Sequence, residues 1–167
     1  SAYDTDLYLR WVQMGMFSPV SILFGMDHPR YHAPWTYGEE AQKIFIQYDS
    51  LRYALLPYIY TSAWDMYKTS RPLMTPLFYD HLQDVNTYQI SDQYMFGRDM
   101  MVCPVTVKNA LSRPVYFPSG DWLDFWTGER ISGRQYKSFL TPIEIMPIFL
   151  RRGAIIPRQE AMQYVDE

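Results

Sequence analysis

Side chains able to do chemistry concentrate in one loop of this 167-residue chain. Between Met26 and Tyr37 stand Asp27, His28, Arg30 and His32, with Tyr31 and Trp35 among them. A carboxylate accepts hydrogen bonds, an imidazole donates or accepts, and a guanidinium only donates. Such a set can read a polar ligand. It can equally form a solvated loop with an Asp27–Arg30 ion pair. The i,i+4 spacing of His28 and His32 would suit zinc on a helix, but Pro29 and Pro34 argue against a helix, so no metal site is expected. Asp4, Asp6, Asp27, Asp80, Asp84 and Asp92 are isolated along the chain, and no pair of carboxylates stands out for acid–base work. The single cysteine, Cys103, lies in the apolar run Met100–Val105. It can form no internal disulfide, and it reads as a buried strand thiol rather than a nucleophile.

The elements that must position the polar loop are legible around it. Val20-Ser21-Ile22-Leu23-Phe24-Gly25 is a short run, mostly apolar, that follows Pro19 and ends at Gly25. It reads as a strand buried on both faces, as in a parallel barrel. Loops that follow barrel strands are where barrel enzymes carry active-site groups. Upstream, Asp4 to Met16 reads as a helix, with Asp4 to Asp6 as cap and acidic first turn, and Leu7, Trp11 and Met14 at helical spacing. Downstream, Glu39 to Lys68 reads as one long helix. Ala41, Ile44, Tyr48, Leu51, Leu55, Ile59 and Ala63 form its apolar face, and Pro57 kinks it near the middle. From Arg71 the texture becomes strand-like: Leu73–Tyr79, Gln93–Phe96, Met100–Thr106, Pro114–Pro118, Asp121–Trp126, Ile143–Leu150 and Ala154–Ile156, separated by turn residues. That is the pattern of an antiparallel β-sandwich.

Composition narrows the function classes. The formal charge is −3 and no Lys/Arg block occurs, so nucleic acid is not an expected partner. No apolar run reaches transmembrane length, and no membrane partner is expected. Aromatic residues make up 17% of the chain. Rings at that density fill cores and domain contacts, and they can also stack on sugar faces. Trp122, Phe125 and Trp126 are spaced so that they divide between the two faces of a hairpin, which suits a core rather than an exposed binding row.

Several segments together resemble one family. Arg10-Trp11-Val12-Gln13-Met14-Gly15-Met16-Phe17-Ser18-Pro19, Pro34-Trp35, Leu51-Arg52-Tyr53 with Leu55-Leu56-Pro57-Tyr58, and Arg71-Pro72-Leu73 occur in order. Asp92-Gln93-Tyr94-Met95-Phe96-Gly97, Pro118-Ser119-Gly120-Asp121-Trp122-Leu123-Asp124-Phe125-Trp126-Thr127-Gly128 and Arg151-Arg152-Gly153-Ala154-Ile155-Ile156-Pro157 follow. At these spacings the chain resembles the C-terminal part of family 31 glycoside hydrolases, which are retaining α-glycosidases of the α-glucosidase and α-xylosidase kind. The resemblance implies an α+β piece: the last helix–strand–helix elements of a (β/α)8 barrel, followed by an antiparallel β-sandwich. Residues 1–75 would be the end of the catalytic barrel and residues 76–167 the β-sandwich domain, itself cut short. Arg52 is expected to pair with a carboxylate across the contact between the two.

The resemblance also carries an expectation about chemistry. Retaining hydrolysis needs two carboxyl groups about 5–5.5 Å apart. In the family both precede this segment, so no catalytic residue is expected in this chain, which alone should be inactive. Its partners would be the missing remainder of the barrel and an α-linked oligosaccharide or glycoside; no cofactor is implied. Where the family commonly has Arg-x-His-Gly, this chain has Ile22-Leu23-Phe24-Gly25. Losing two polar groups changes which sugar hydroxyls are read. Phe24, Asp27 and His28 are therefore the expected substrate-binding residues, with Asp27 accepting from sugar hydroxyls and His28 donating to one. A non-catalytic carbohydrate-binding sandwich is the alternative function.

Overall fold

Tyr94-Met95-Phe96 and Met100-Met101-Val102 lack the polar alternation of a half-exposed strand, and the computed structural model shows the cause. It describes residues 4–24 and 32–162. Both runs are central strands of a sheet covered on both faces, so each side chain along them finds an apolar neighbour.

The chain begins with α1 (Thr5–Met16), a 3-10 turn (Pro34–Tyr37), α2 (Glu39–Ala54) and α3 (Leu56–Thr69). Eight strands follow: β1 (Met74–Pro76), β2 (Tyr94–Phe96), β3 (Met100–Val102), β4 (Ser112–Phe117), β5 (Asp121–Asp124), β6 (Arg130–Ser132), β7 (Gln135–Leu140) and β8 (Ile148–Arg151). Two 3-10 turns, Leu77–Tyr79 and Val85–Gln89, lie between β1 and β2. One antiparallel sheet has the order β1-β2-β3-β8-β5-β6, and β4 pairs with β7 in a separate ribbon. Register alternates the sheet's side chains cleanly. Tyr94, Phe96, Met100, Val102 and Ile148 share a core with the three helices. Met95, Met101, Trp122, Ile131 and Phe149 share a second core with Val115 and Phe117 of the ribbon. The molecule thus has three layers: helices, a six-stranded sheet, and a two-stranded ribbon. Cys103 is fully buried in the second core, and burial pushes its thiol up to about 12, so it stays protonated and inert.

Polar side chains pin the helical layer to the sheet by donating to backbone carbonyls. Arg10, buried on α1, reaches the carbonyls of Thr141 (2.5 Å), Ile145 (3.0 Å) and Pro142 (3.2 Å). Gln13, one turn on, donates to Ile143 O at 2.6 Å. Tyr48 Oη donates to Glu144 O at 3.0 Å and accepts from Met146 N at 2.8 Å. Tyr94 Oη donates to Phe17 O at 2.9 Å. Tyr58 Oη donates to Phe96 O at 2.7 Å, just where the chain turns through Gly97. Gly97 has φ 69°, and a Cβ there would stand 2.3 Å from that hydroxyl, so only glycine lets the β2–β3 turn seat against α3. Such bonds satisfy loop carbonyls that burial would otherwise leave unpaired.

The structure corrects several expectations. The long helix is two helices, broken at Leu55, with Pro57 in the first turn of α3, where its missing N–H costs nothing. Ala54 O at the break accepts from Gln159 N at 3.0 Å. Leu7, Trp11 and Met14 do not form the buried face of α1; they are exposed, and Tyr8, Leu9, Val12 and Met16 are buried instead. The helix is apolar on both sides, and spacing alone could not choose between them. Leu73–Tyr79 is strand only to Pro76, and Ala154–Ile156 is not a strand. β6 and β7 were not anticipated, because β7 (Gln135-Tyr136-Lys137-Ser138-Phe139-Leu140) is mostly polar and largely exposed. Finally, Val20–Phe24 is neither a strand nor buried: it is exposed and pairs with no strand among the described residues. No helix of the described residues is long and apolar enough to cross a membrane.

Candidate functional site

The segment leading to the polar loop starts at the C-terminus of α1. The last carbonyls of a helix have no intrahelical donor, and they carry the negative end of its dipole. Arg52, in the last turn of α2, meets them. Its guanidinium donates to Met16 O at 2.7 Å, Ser18 O at 2.9 Å and Pro19 O at 3.4 Å. The expected carboxylate partner across the contact with the β-domain is therefore replaced by three carbonyls. The run at 16–19 supplies several acceptors at fixed spacing, which a planar fork of donors fits better than one carboxylate would.

Arg52 thereby sets the direction in which Val20–Phe24 leaves the helix. Ser21, Ile22 and Leu23 line a cavity of about 450 Å³ together with Met16, Phe45, Asp49, Arg52, Tyr53 and Leu56. Burial pushes the Asp49 carboxyl up, and Arg52 pulls it back. A single carboxyl here cannot serve as both partners of an acid–base pair. Phe24 is 63% exposed and its ring stands clear of this cavity's lining.

Asp27, His28 and Arg30 lie outside the described residues, so of the three expected substrate-binding residues only Phe24 is placed. His32, at the far end of the loop, is half-buried. Its carbonyl accepts from Tyr8 Oη at 2.9 Å, and its ring stands edge-on to Trp11 at 6.2 Å between centroids. Its Nδ1 is buried and has no hydrogen-bond partner among the described residues. Burial and the nearby Tyr37 push the Tyr8 hydroxyl up to about 12, which keeps it a neutral donor. Tyr8 and Tyr37 stack at 3.9 Å, tying the 3-10 turn at Pro34–Tyr37 to α1. The loop is thus anchored at both ends, by Arg52 before it and by Tyr8 after it. Among the described residues no three His, Cys, Asp or Glu side chains could hold a metal ion.

Sequence reasoning missed the anchoring roles of Arg52 and Tyr8. Neither shows in the sequence, because each depends on which carbonyl the tertiary packing brings within reach.

Comparison with known proteins agrees with this architecture over most of the chain. The family model described as the glycosyl hydrolases family 31 TIM-barrel domain matches residues 1–62. That described as the glycosyl hydrolase family 31 C-terminal domain matches residues 70–156. An α-xylosidase of Saccharolobus solfataricus is 37% identical over 153 residues, which is 91% of this chain and 21% of that protein. Alpha-glucosidase 2 of Bacillus thermoamyloliquefaciens is 36% identical over 90% of this chain and 19% of its own length. Among solved structures, a variant of a Flavobacterium johnsoniae dextranase complexed with isomaltotriose superposes with a TM-score of 0.93 at 34% identity, over 98% of this chain and 20% of that one. The chain spans about a fifth of the length of these relatives.

Proposed function

This chain belongs to glycosyl hydrolase family 31, and from that premise we propose that it completes the catalytic barrel of a retaining α-glycosidase and carries the β-domain behind it. The observation that supports this most is the consecutive match of the two family models, barrel then C-terminal domain, over 1–62 and 70–156. In this reading residues 1–75 are the barrel end and residues 76–167 the β-sandwich. The whole enzyme releases terminal α-linked sugars from oligosaccharides or glycosides. Both carboxyl groups of the reaction come from the remainder of the barrel, and this chain alone is inactive.

The contribution of this chain to substrate binding is one wall of the sugar pocket. Phe24 offers a ring where the family commonly has His, and Ile22 an aliphatic side chain where it commonly has Arg. Asp27 and His28 supply the hydrogen bonds to hydroxyls. Arg52 and Tyr8 hold the two ends of that wall. A wall without the Arg and His cannot pair the hydroxyls they would pair, and a substrate lacking those hydroxyls is penalised least. That favours an α-xyloside or another sugar with fewer groups to satisfy over a plain α-glucoside.

The test joins this chain to the remainder of its barrel and compares aryl α-xyloside with aryl α-glucoside. Ile22→Arg with Phe24→His should move the ratio of kcat/KM toward the glucoside by about 10²-fold. An unchanged ratio would remove Phe24 and Ile22 from the pocket wall. Cleavage by the isolated chain would overturn the assignment of both carboxyl groups to the rest of the barrel.

A further inference from the structure

The largest cavity among those described lies in the β-domain, not beside Phe24. It measures about 690 Å³ and opens between the loop at 79–86 and two turns, at 118–120 and 133–134. That is within the range of small-molecule sites, about 300–1,000 Å³. We propose that this groove is a carbohydrate-binding site for a neutral glucan chain; the choice of an α-linked glucan among neutral sugars rests on the glycosidase reading above.

Its walls are held rigid from behind. Gly133 N donates to Gly120 O at 2.7 Å, and Arg134 N to Phe117 O at 2.7 Å. The two turns are packed so closely that a Cβ on Gly133 would stand 2.1 Å from Pro118 O. Opposite, Asp84 accepts from Tyr116 Oη at 2.6 Å, from Asn86 Nδ2 at 3.1 Å and from Asn86 N at 3.2 Å. Asp80 is gripped by both Arg71 nitrogens at 2.6 Å. Polar groups fixed before a ligand arrives lose little entropy when it binds.

The chemistry of the lining selects the ligand. Burial pushes the Asp80 and Asp84 carboxyls up, but the bond and charge of Arg71 with the Arg151 charge at Asp80, and the bonds from Tyr116 and Asn86 at Asp84, together bring both below the usual carboxylate range, so both are ionised. Asp84 Oδ1 already takes two bonds from Asn86, and Asp80 Oδ2 one each from Arg71 and Arg151, so Asp84 Oδ2 and Asp80 Oδ1 are the oxygens with a lone pair left for a hydroxyl. Arg134 adds donors, and it pairs with no carboxylate among the described residues. Asp80 is paired with Arg71 and Arg151, and Asp84 and Arg134 carry opposite charges, so the groove has no strong net charge to hold an anion or a cation. No metal-binding group of three is present among the described residues. What remains is a ligand dense in neutral hydroxyls. Tyr79 supplies a ring for the apolar face of such a sugar, with the Arg71 guanidinium 5.1 Å from its centroid.

Arg134 gives the proposal a clean variant. It sits at φ 59°, in the left-handed region. A non-glycine residue there costs about 1 kcal/mol, and glycine would be relaxed. The turn bears that cost and presents a long cation at the groove.

The test is affinity electrophoresis through gels containing soluble dextran or glycogen, run on this chain assembled with the rest of its barrel. Retardation is compared with hydrolysis of a small aryl α-glycoside, and a barrel-directed covalent glycosidase inhibitor is present in half the gels. The wild type should be retarded with the inhibitor as without it. Arg134→Gly and Tyr79→Ala should each weaken retardation by about tenfold and leave kcat/KM on the aryl glycoside unchanged. Arg134→Gly relieves the backbone, so a loss of binding in it cannot be laid to misfolding, and its melting temperature should equal or exceed the wild type's. Wild-type protein that migrates freely once the inhibitor is bound, or variants retarded as strongly as wild type, would overturn the proposal. If no aryl glycoside is cleaved while the retardation pattern holds, the glycosidase reading fails and this one stands.

Discussion

Met100-Met101-Val102 and the run from Val20 to Phe24 both look in sequence like short buried strands, and they meet opposite fates. The first is fully buried between β2 and β8, with apolar neighbours above and below the sheet. The second has Val20 at 82%, Ile22 at 73% and Phe24 at 63% exposure. Hydrophobicity says that a segment will be stable if covered; it does not say what covers it. For β3 the cover is encoded within the described residues, from the three helices on one face and the ribbon on the other. For 20–24 none of the described residues provides it. A strand needs neighbours for its backbone groups, and one lacking them stays irregular however apolar its side chains are.

The sharpest way to break this contrast is to delete one side chain from each region. Phe149 packs between Phe117 (4.7 Å) and Phe139 (4.8 Å) in the second core, and Phe149→Ala should cost about 3–5 kcal/mol in denaturant unfolding. A cost no greater than that of Phe24→Ala would mean that the two runs do not differ as described. Next in size is the bond set that joins helices to sheet. Arg10→Met keeps the aliphatic stem but leaves the carbonyls of Thr141 and Ile145 without their Arg10 donor, while Pro142 O keeps Ile145 N, for a loss of about 2–3 kcal/mol.

A smaller effect, visible only against pH, belongs to His81 at the rim of the sheet. Burial first, then the neighbouring Arg151 charge, hold its pKa below the usual 6.5, while Asp80 and Asp84 pull it upward. The unfolded chain therefore binds more protons than the folded one just below pH 6.5. Stability is full above that pH and falls as pH drops through 6.5 toward the lower folded value. His81→Gln should flatten that part of a stability–pH curve, and an equal slope in both proteins would remove His81 as its source. Smallest is Phe24→Ala, which should change the stability of this chain by no more than about 0.5 kcal/mol. Joined to the rest of a barrel, the same substitution should cost measurably more, because the ring would then have cover to lose.

What was legible in the sequence follows the same division. β2 and β3, and the turn glycines beside them, show because double-sided burial writes an unbroken apolar run. The break at Leu55 was half legible: Pro57 marked the place, but whether it kinks one helix or starts another depends on local packing. β7 escaped because an exposed ribbon strand needs only Phe139 and Lys137 half-buried, too little for a pattern. The inner face of α1 escaped for the opposite reason, since apolar residues ring the helix. At the candidate site, the switch to Ile22 and Phe24 could be read by resemblance alone. Arg52 could not, since its partners are backbone carbonyls, which carry no sequence signal. The groove over Asp80 and Asp84 was equally hidden, because Asp84 and Arg134 stand 50 positions apart and meet only through folding.

Arg10 meets Thr141 across a sequence separation of 131 residues. On a ribosome adding about 5–20 residues per second, α1 has emerged on the order of ten seconds before the carbonyls it will bind exist. For that interval the Arg10 guanidinium lacks those acceptors, while Tyr37 and α2, which pack on α1, follow it in the chain much sooner. The helix can therefore settle on α2 first, and its seam with the sheet closes only when residues 141–145 arrive.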